Sequence, residues 1–483
     1  MPVRRAALLL AVAALLAPTA CTTTRPPEVR LTALAAPELA DLAPLLPDLR
    51  RDTGVELVLD HRETLGADLS GHDLAWPPST RYLRLAGGEL PLATPTMTSP
   101  LVLAVKRDRA PGLRGGTWAD VAQLAAGGGL RFALADPHRA DSGLSALIGV
   151  ATAAAGTGSA LRPQDVACDK LGGLLTGLVR AEPDSATALA EFARRDDVDA
   201  VVGPESELLR LADSGRVPGG FDLVRPRDGV VLADYPLLLV RPEHRDAYDR
   251  VVAWLRSDAV QRRIAETTAR RPVDPALPRP ERLSEEIGAA LYFPAEQAVV
   301  DAVLAAYDRA AAGLRGSVVF VLDYSLSMRG ERIAQLRDVF ARLSGGGGFD
   351  RFALGERITV VRFAGRVLDE RTVVVDGQAA LDGLAAVLAS DDLGEGTALW
   401  TALRRGQELA GDGPVVLVTD GESNAGIGPE EYLAGPHGAR TYAIRVGEAD
   451  PAELDRAARA SGGRVVDATG SLTEAVGEIR GCR

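Results

Sequence analysis

The sequence predicts an α/β protein of two separate units with mostly parallel sheets, on three observations. A chain of 483 residues exceeds one ordinary domain. From Val29 to about Pro275, short apolar runs alternate with helical patterns, the order that builds strand–helix–strand layers. The alternation stops at a Pro-rich stretch, PALPRPER, and restarts more regularly from Ser317.

In chain order, VRLTAL (29–34) reads as a strand and PELADLAPLLPDLRRDTG as a helix closing on Gly54. VELVLD (55–60) is the next strand, LRLA (83–86) a further candidate, and SPLVLAVKR (99–107) another strand. TWADVAQLAAGG is a helix with Thr117 as its N-cap. LRFALADP (130–137) is a strand running into a loop, and DSGLSALIGVATAAAG starts a helix. ALAEFARRDDVDAVVGPES continues as helix, short strand and loop. DYPLLLV (234–240) is a strand, and AYDRVVAWLRSDAVQRRIAETTA reads as one amphipathic helix. Residues 276–315 form a connector whose EQAVVDAVLAAYDRAAAG is a helix packing on a domain. The strands that follow are SVVFVLD, RITVVRFAG, RTVVVD, PVVLVTD, RTYAIRVG and GRVVDAT, with SLTEAVGEIRG as the closing helix.

Hydrophobic content of 46% supports globular cores rather than disorder. A net charge of −12 excludes a nucleic-acid partner, since no basic stripe is present to neutralise phosphates. Lysine occurs only at Lys106 and Lys170, and the dominance of arginine, with abundant Ala, Gly and Pro, reflects GC-rich coding.

The first 21 residues are read as a targeting segment. Arg4 and Arg5 precede an apolar run, Ala6 to Ala17, too short to span a bilayer but suited to a secretory signal. It ends in PTAC and resembles a bacterial lipoprotein signal, which implies cleavage before Cys21 and its lipidation; Pro18 stands where such signals usually carry leucine. A plain secretory signal is the alternative. Residues 22–28 are a tether, and attachment to the membrane is through lipid alone. Cys168 and Cys482 remain, either paired as a disulfide or as free buried thiols.

VVFVLDYSLSM (318–328) ends an apolar run in a carboxylate followed by two hydroxyls, Asp323, Ser325 and Ser327. In an open parallel sheet, ligands gather at the carboxyl ends of strands. PVVLVTDGES ends a second strand at Asp420, and GEGTALWTALRRG places Thr397 at a helix start. Two carboxylates and three hydroxyls are a hard-cation set, Mg²⁺ or Mn²⁺, with no His or Cys nearby to favour zinc. Asp-x-Ser-x-Ser, then the threonine, then Thr-Asp-Gly resembles the von Willebrand factor A domain with its metal-ion-dependent adhesion site, over about 316–480. That resemblance implies a Rossmann-like doubly wound fold. In it Ser325 and Ser327 touch the metal, Thr397 does so directly or through water, and Asp323 and Asp420 act through waters and hydrogen bonds. An open coordination position is then completed by a partner's Glu or Asp.

Residues 29–275 resemble the type 2 periplasmic solute-binding fold, through ELADLAPLLPDL, TSPLVLAV, ADPHRADSGLSAL, AVVGPE and AWLRSDAVQRRIAETTARRPV. The resemblance implies lobes at 29–95 plus 240–275 and at 107–226, joined by crossings at TPTMTSPLVLAV and RPRDGVVLADYPLLLV. Ligand candidates in the cleft are Glu63 and Thr64, Ser79 and Thr80, Thr98 and Ser99, and Ser142 with Gly143; helix-start N–H groups there favour an anion. Arg81 and Arg84 are available for a charged ligand. Ala35-Ala36 stand where such proteins often place a hydroxyl or glycine, so a protein-binding platform is the alternative use of the lobes.

Neither a G-x-S-x-G elbow nor a histidine placed to activate Ser325 or Ser327 is found, so no enzyme is expected. The expectation is a lipoprotein on the outer face of the bacterial cytoplasmic membrane, binding an acidic partner through the metal. The alternative is the solute receptor of an ABC-type importer, with the metal domain as an accessory.

Overall fold

The computed structural model describes residues 28–479, apart from 86, 88–90, 110–112, 157–158, 167, 284–285, 312–315, 346–351, 412, 448 and 469–470. Cys21 and Cys482 lie outside the described residues, as does the Cys168 side chain, so the lipidation and disulfide expectations fall there.

The chain forms three sheets from seventeen described strands. In order they are β1 (Val29–Ala35), β2 (Val55–His61), β3 (Leu74–Trp76), β4 (Leu92–Pro95), β5 (Ser99–Lys106), β6 (Phe132–Ala135), β7 (Leu178–Glu182), β8 (Ala200–Pro204), β9 (Phe221–Val224), β10 (Leu232–Ala233) and β11 (Pro236–Leu239). The last six are β12 (Ser317–Asp323), β13 (Arg357–Phe363), β14 (Val367–Val374), β15 (Val415–Thr419), β16 (Thr441–Arg445) and β17 (Arg464–Asp467).

The first sheet runs β2-β1-β3-β11-β4, and the second runs β10-β5-β8-β6-β7 with β9 also on β5. Two chain segments pass between them: β4 continues into β5, and β10 into β11. Both sheets are mixed. β11 is antiparallel to β3 and β4, and β5 is antiparallel to β8, β9 and β10.

Local chemistry accounts for many boundaries. The helix Leu46–Thr53 ends at Gly54, whose φ of 71° is left-handed, the conformation glycine adopts without strain. Thr117 caps the helix Trp118–Ala126 in a reciprocal capping box with Asp120. Three expectations are corrected. LRLA belongs to a helix, Arg81–Leu85, and not to a strand. The loop expected at GPES is the start of the helix Glu205–Asp213, whose two first-turn glutamates suit a helix N-terminus. The single helix expected across 247–269 is two, Arg245–Leu255 and Asp258–Thr268, because Ser257 and Asp258 restart it as N-cap and first-turn acid.

The helix Gln297–Ala311 puts Val299, Val300, Val303, Ala306 and Tyr307 into the core under the second sheet, with Trp118, Leu147 and Leu171. The third sheet runs β14-β13-β12-β15-β16-β17 and is parallel except for β14. Its β12 is apolar on both sides. Val318, Phe320 and Leu322 meet one layer of helices, while Val319 and Val321 meet the other with Leu403 and Trp400. Burial on both faces explains an unbroken apolar run in place of alternation.

Candidate functional site

The end of β12 turns at once into the loop that carries Ser325 and Ser327. The Ser325 N–H donates to Asp323 Oδ1 at 2.8 Å, and Thr419 Oγ1 donates to Asp323 Oδ2 at 2.7 Å. Asp323 is fully buried, and that burial pushes its carboxyl above the usual range, against the hydrogen bonds from Ser325 and Thr419. The hydroxyls of Ser325 and Ser327 lie 2.8 Å apart, and Ser327 Oγ donates to Asp420 Oδ1 at 2.8 Å. Four of the five expected residues thus form one hydrogen-bonded set at the carboxyl ends of adjacent strands β12 and β15.

Thr397 is buried on the third loop, before the helix Leu399–Ala410. Its N–H donates to Asn424 Oδ1 at 2.8 Å, and its carbonyl accepts from Asn424 N and Ser423 Oγ. The preceding Gly394 pairs with Tyr324 and Leu326, which holds that loop against the first one. Among the described residues, no hydrogen bond joins the Thr397 side chain to the other four. Sequence reasoning missed Thr419, Asn424 and Arg332. The first was visible as the residue before Asp420. Arg332 carried no signal, yet its guanidinium pairs with Asp420.

This donor set fits a small hard cation: it is all oxygen and includes two buried carboxylates. Among the described residues, no three His, Cys, Asp or Glu side chains gather as a metal-holding group. An ion here would therefore rely on serine and threonine hydroxyls beside the two aspartates.

The second site is a cleft between the first two sheets, about 430 Å³ including the open solvent at its mouth. Glu63, Ser79, Ser99, Ser142 and Arg81 line it as expected, whereas Thr64, Thr80, Thr98, Gly143 and Arg84 do not. Thr98 instead pairs backbone to backbone with Arg271, and Gly143 is where the helix Asp141–Ala155 meets β6: a Cβ there would stand 2.1 Å from Ala135 O. The lining also includes Glu38, Asp141, Ser145, Ser185 and Tyr235. Ser142 and Ser185, at two helix starts, bond each other at 2.5 Å, and Tyr235 Oη donates to Glu38 Oε1 at 3.2 Å.

The expectation of an anion site meets a lining richer in acids than in bases. Among the described lining residues, Glu38, Glu63 and Asp141 stand beside one basic side chain, Arg81. Burial, reinforced by Glu38, raises Glu63 to about 8, and the same two causes raise Asp141 to about 6. Burial also raises Glu38.

Residues 72–267 match the family model for bacterial extracellular solute-binding protein, and residues 318–422 match that for the von Willebrand factor type A domain. Comparison with curated proteins gives no match. Among solved structures, the chain is similar to the periplasmic binding protein AfuA from Actinobacillus pleuropneumoniae, with 13% identity, 58% of this chain and 97% of that one covered, and a TM-score of 0.44. It is similar to a Bordetella ferric binding protein at 12% identity, covering 59% and 100%, with a TM-score of 0.43. A periplasmic thiamin binding protein gives 13% identity, 58% and 96% coverage, and a TM-score of 0.46. All five residues expected to serve the metal fall inside the second matched segment. The chain carries a bacterial extracellular solute-binding domain followed by a von Willebrand factor type A domain.

Proposed function

We propose that this chain is an exported lipoprotein that holds an acidic protein partner through a divalent cation in its von Willebrand factor A domain. Cys21 carries the lipid, on the outer face of the cytoplasmic membrane. Residues 22–28 are the tether, 29–275 the solute-binding unit, 276–315 the connector and 316–480 the metal-binding unit. The observation that carries the reading is the convergence of Asp323, Ser325, Ser327 and Asp420, with the Thr397 loop packed beside them. Mg²⁺ or Mn²⁺ held by these oxygens would supply an electrophilic point for a carboxylate of the partner. The chain's own part is to fix the hydroxyls: Asp323 accepts from the Ser325 backbone, and Asp420 orients Ser327.

The test is retention of envelope proteins by the immobilised chain in Mg²⁺, in EDTA, and with Asp323→Ala. A protein held only by the wild type in Mg²⁺ is the expected result. Retention indifferent to both changes would remove the reading.

A second reading, a solute receptor, is favoured by the cleft's three carboxylates. On that reading the solute presents a cationic group, an amine or guanidinium, to Glu38, Glu63 and Asp141. Amine-bearing solutes are expected to raise the melting temperature and to release protons on binding, because a cation favours the ionised carboxylates. Calorimetry in buffers of different ionisation enthalpy measures that release. Stabilisation by anionic solutes alone would defeat the cation assignment.

A further inference from the structure

We propose that Arg332 is a built-in counter-ion of the metal site, holding Asp420 until a divalent cation replaces it. The inference rests on the metal reading given above. Both oxygens of the fully buried Asp420 side chain are engaged: Ser327 Oγ donates to Oδ1, and the Arg332 guanidinium pairs with Oδ2. Arg332 lies in the first turn of the helix Glu331–Gly345, and its side chain is 40% exposed. Its Nη1 also donates to the Ser327 backbone carbonyl at 3.3 Å. One guanidinium thus spans two of the loops that would grip the ion.

The surroundings make room for it. A Cβ on Gly447 would stand 3.1 Å from Asp420 Cβ and 3.2 Å from Arg332 Cζ, so a side chain there would crowd the pair. Asp323 and Asp420 are both buried within electrostatic reach of each other, and such a pair is disfavoured without a compensating positive charge. Arg332 supplies that charge. A divalent ion held by Ser325 and Ser327, with Asp420 acting on it through water, would draw on the same Asp420 charge that the Arg332 guanidinium now neutralises. Two cations so close repel strongly in a poorly solvated site. Because the Arg332 side chain is 40% exposed, it can turn outward into water. Metal binding is then an exchange of cations, and the arginine lowers the affinity that the oxygens alone would give.

The test is calorimetric titration of Mg²⁺ into the full chain, comparing wild type with Arg332→Gln, whose folding is checked by circular dichroism. The variant is expected to bind Mg²⁺ about tenfold more tightly and, in EDTA, to melt below the wild type. Equal or weaker affinity in a folded variant overturns the counter-ion role while leaving the metal site standing. Flat titrations of both forms overturn the metal reading and this inference together. A second measurement uses only the wild type: phenylglyoxal labelling of Arg332, read by mass spectrometry, should rise severalfold on moving from EDTA to Mg²⁺. Labelling indifferent to the metal counts against the exchange.

Discussion

At the residue scale, burial without full pairing is what sets the cleft apart from the surface. Glu63 is raised from 4.5 to about 8, chiefly by burial and then by Glu38. Between those two values the folded chain keeps a proton that the unfolded chain has lost. Stability from this group is therefore fully present below its unfolded value and is lost as pH rises through about 8. Asp141, raised from 3.8 to about 6, acts with the same sign over its own lower window. The ligand-free protein is expected to lose melting temperature from pH 5 to 8, and Glu63→Gln to flatten that fall. An unchanged slope in the variant would mean that Glu63 is solvated. The metal site uses burial differently, since both oxygens of Asp323 and both of Asp420 already have donors.

At the scale of elements, the helix Asp141–Ala155 brings Asp141, Ser142 and Ser145 to the cleft by lying hard against β6. Gly143 allows the approach. Alanine would gain about 1 kcal/mol in helix propensity, but its Cβ would stand 2.1 Å from a backbone carbonyl that cannot yield cheaply. Overpacking of this kind costs about 1–3 kcal/mol, and contact with backbone puts it at the upper end. Gly143→Ala is expected to lower stability by about 1–2 kcal/mol net in urea unfolding, as the clash wins over propensity. A stabilised variant would show that the helix can shift away. The same scale explains which elements could be read in the sequence. β1, β5, β12 and β15 declare themselves as apolar runs with sharp ends. β3, β4, β9 and β10, two to four residues each, owe their strand geometry to pairing partners far along the chain, which local patterning does not encode.

At the scale of the whole molecule, ion pairs tie distant segments together. Glu205, fully buried at the start of a helix on the second sheet, accepts from Arg225 Nε and Arg271 Nε, each at 2.7 Å. Arg271 in turn pairs with Thr98, between β4 and β5, where the chain passes from one sheet to the other. Arg270 meets Asp41 at 2.7 Å, and Arg210 meets the same carboxylate at 2.9 Å. Removing one member of a buried pair leaves an uncompensated charge, so Glu205→Ala should cost about 3–5 kcal/mol. Urea unfolding of the whole chain checks it, and a loss below about 1 kcal/mol would mean that water takes the place of the carboxylate. The turn before β13 meets the helix Trp118–Ala126, where the Leu354 N–H donates to Ala126 O at 3.0 Å, and among the described residues no helix is long and apolar enough to cross a membrane.

The sequence by itself determined the α/β class, the strand that ends in Asp323, and the order of Asp323, Ser325, Ser327, Thr397 and Asp420. Those signals are local: an apolar run, alternate hydroxyls, a turn after a strand. Only the tertiary structure decided that Arg332 pairs with Asp420, and that Glu38, Glu63 and Asp141 share one cleft. Helix starts suggested an anion, but a cleft's charge is a sum over side chains that arrive from different sheets, and that sum exists only once the chain has crossed between them.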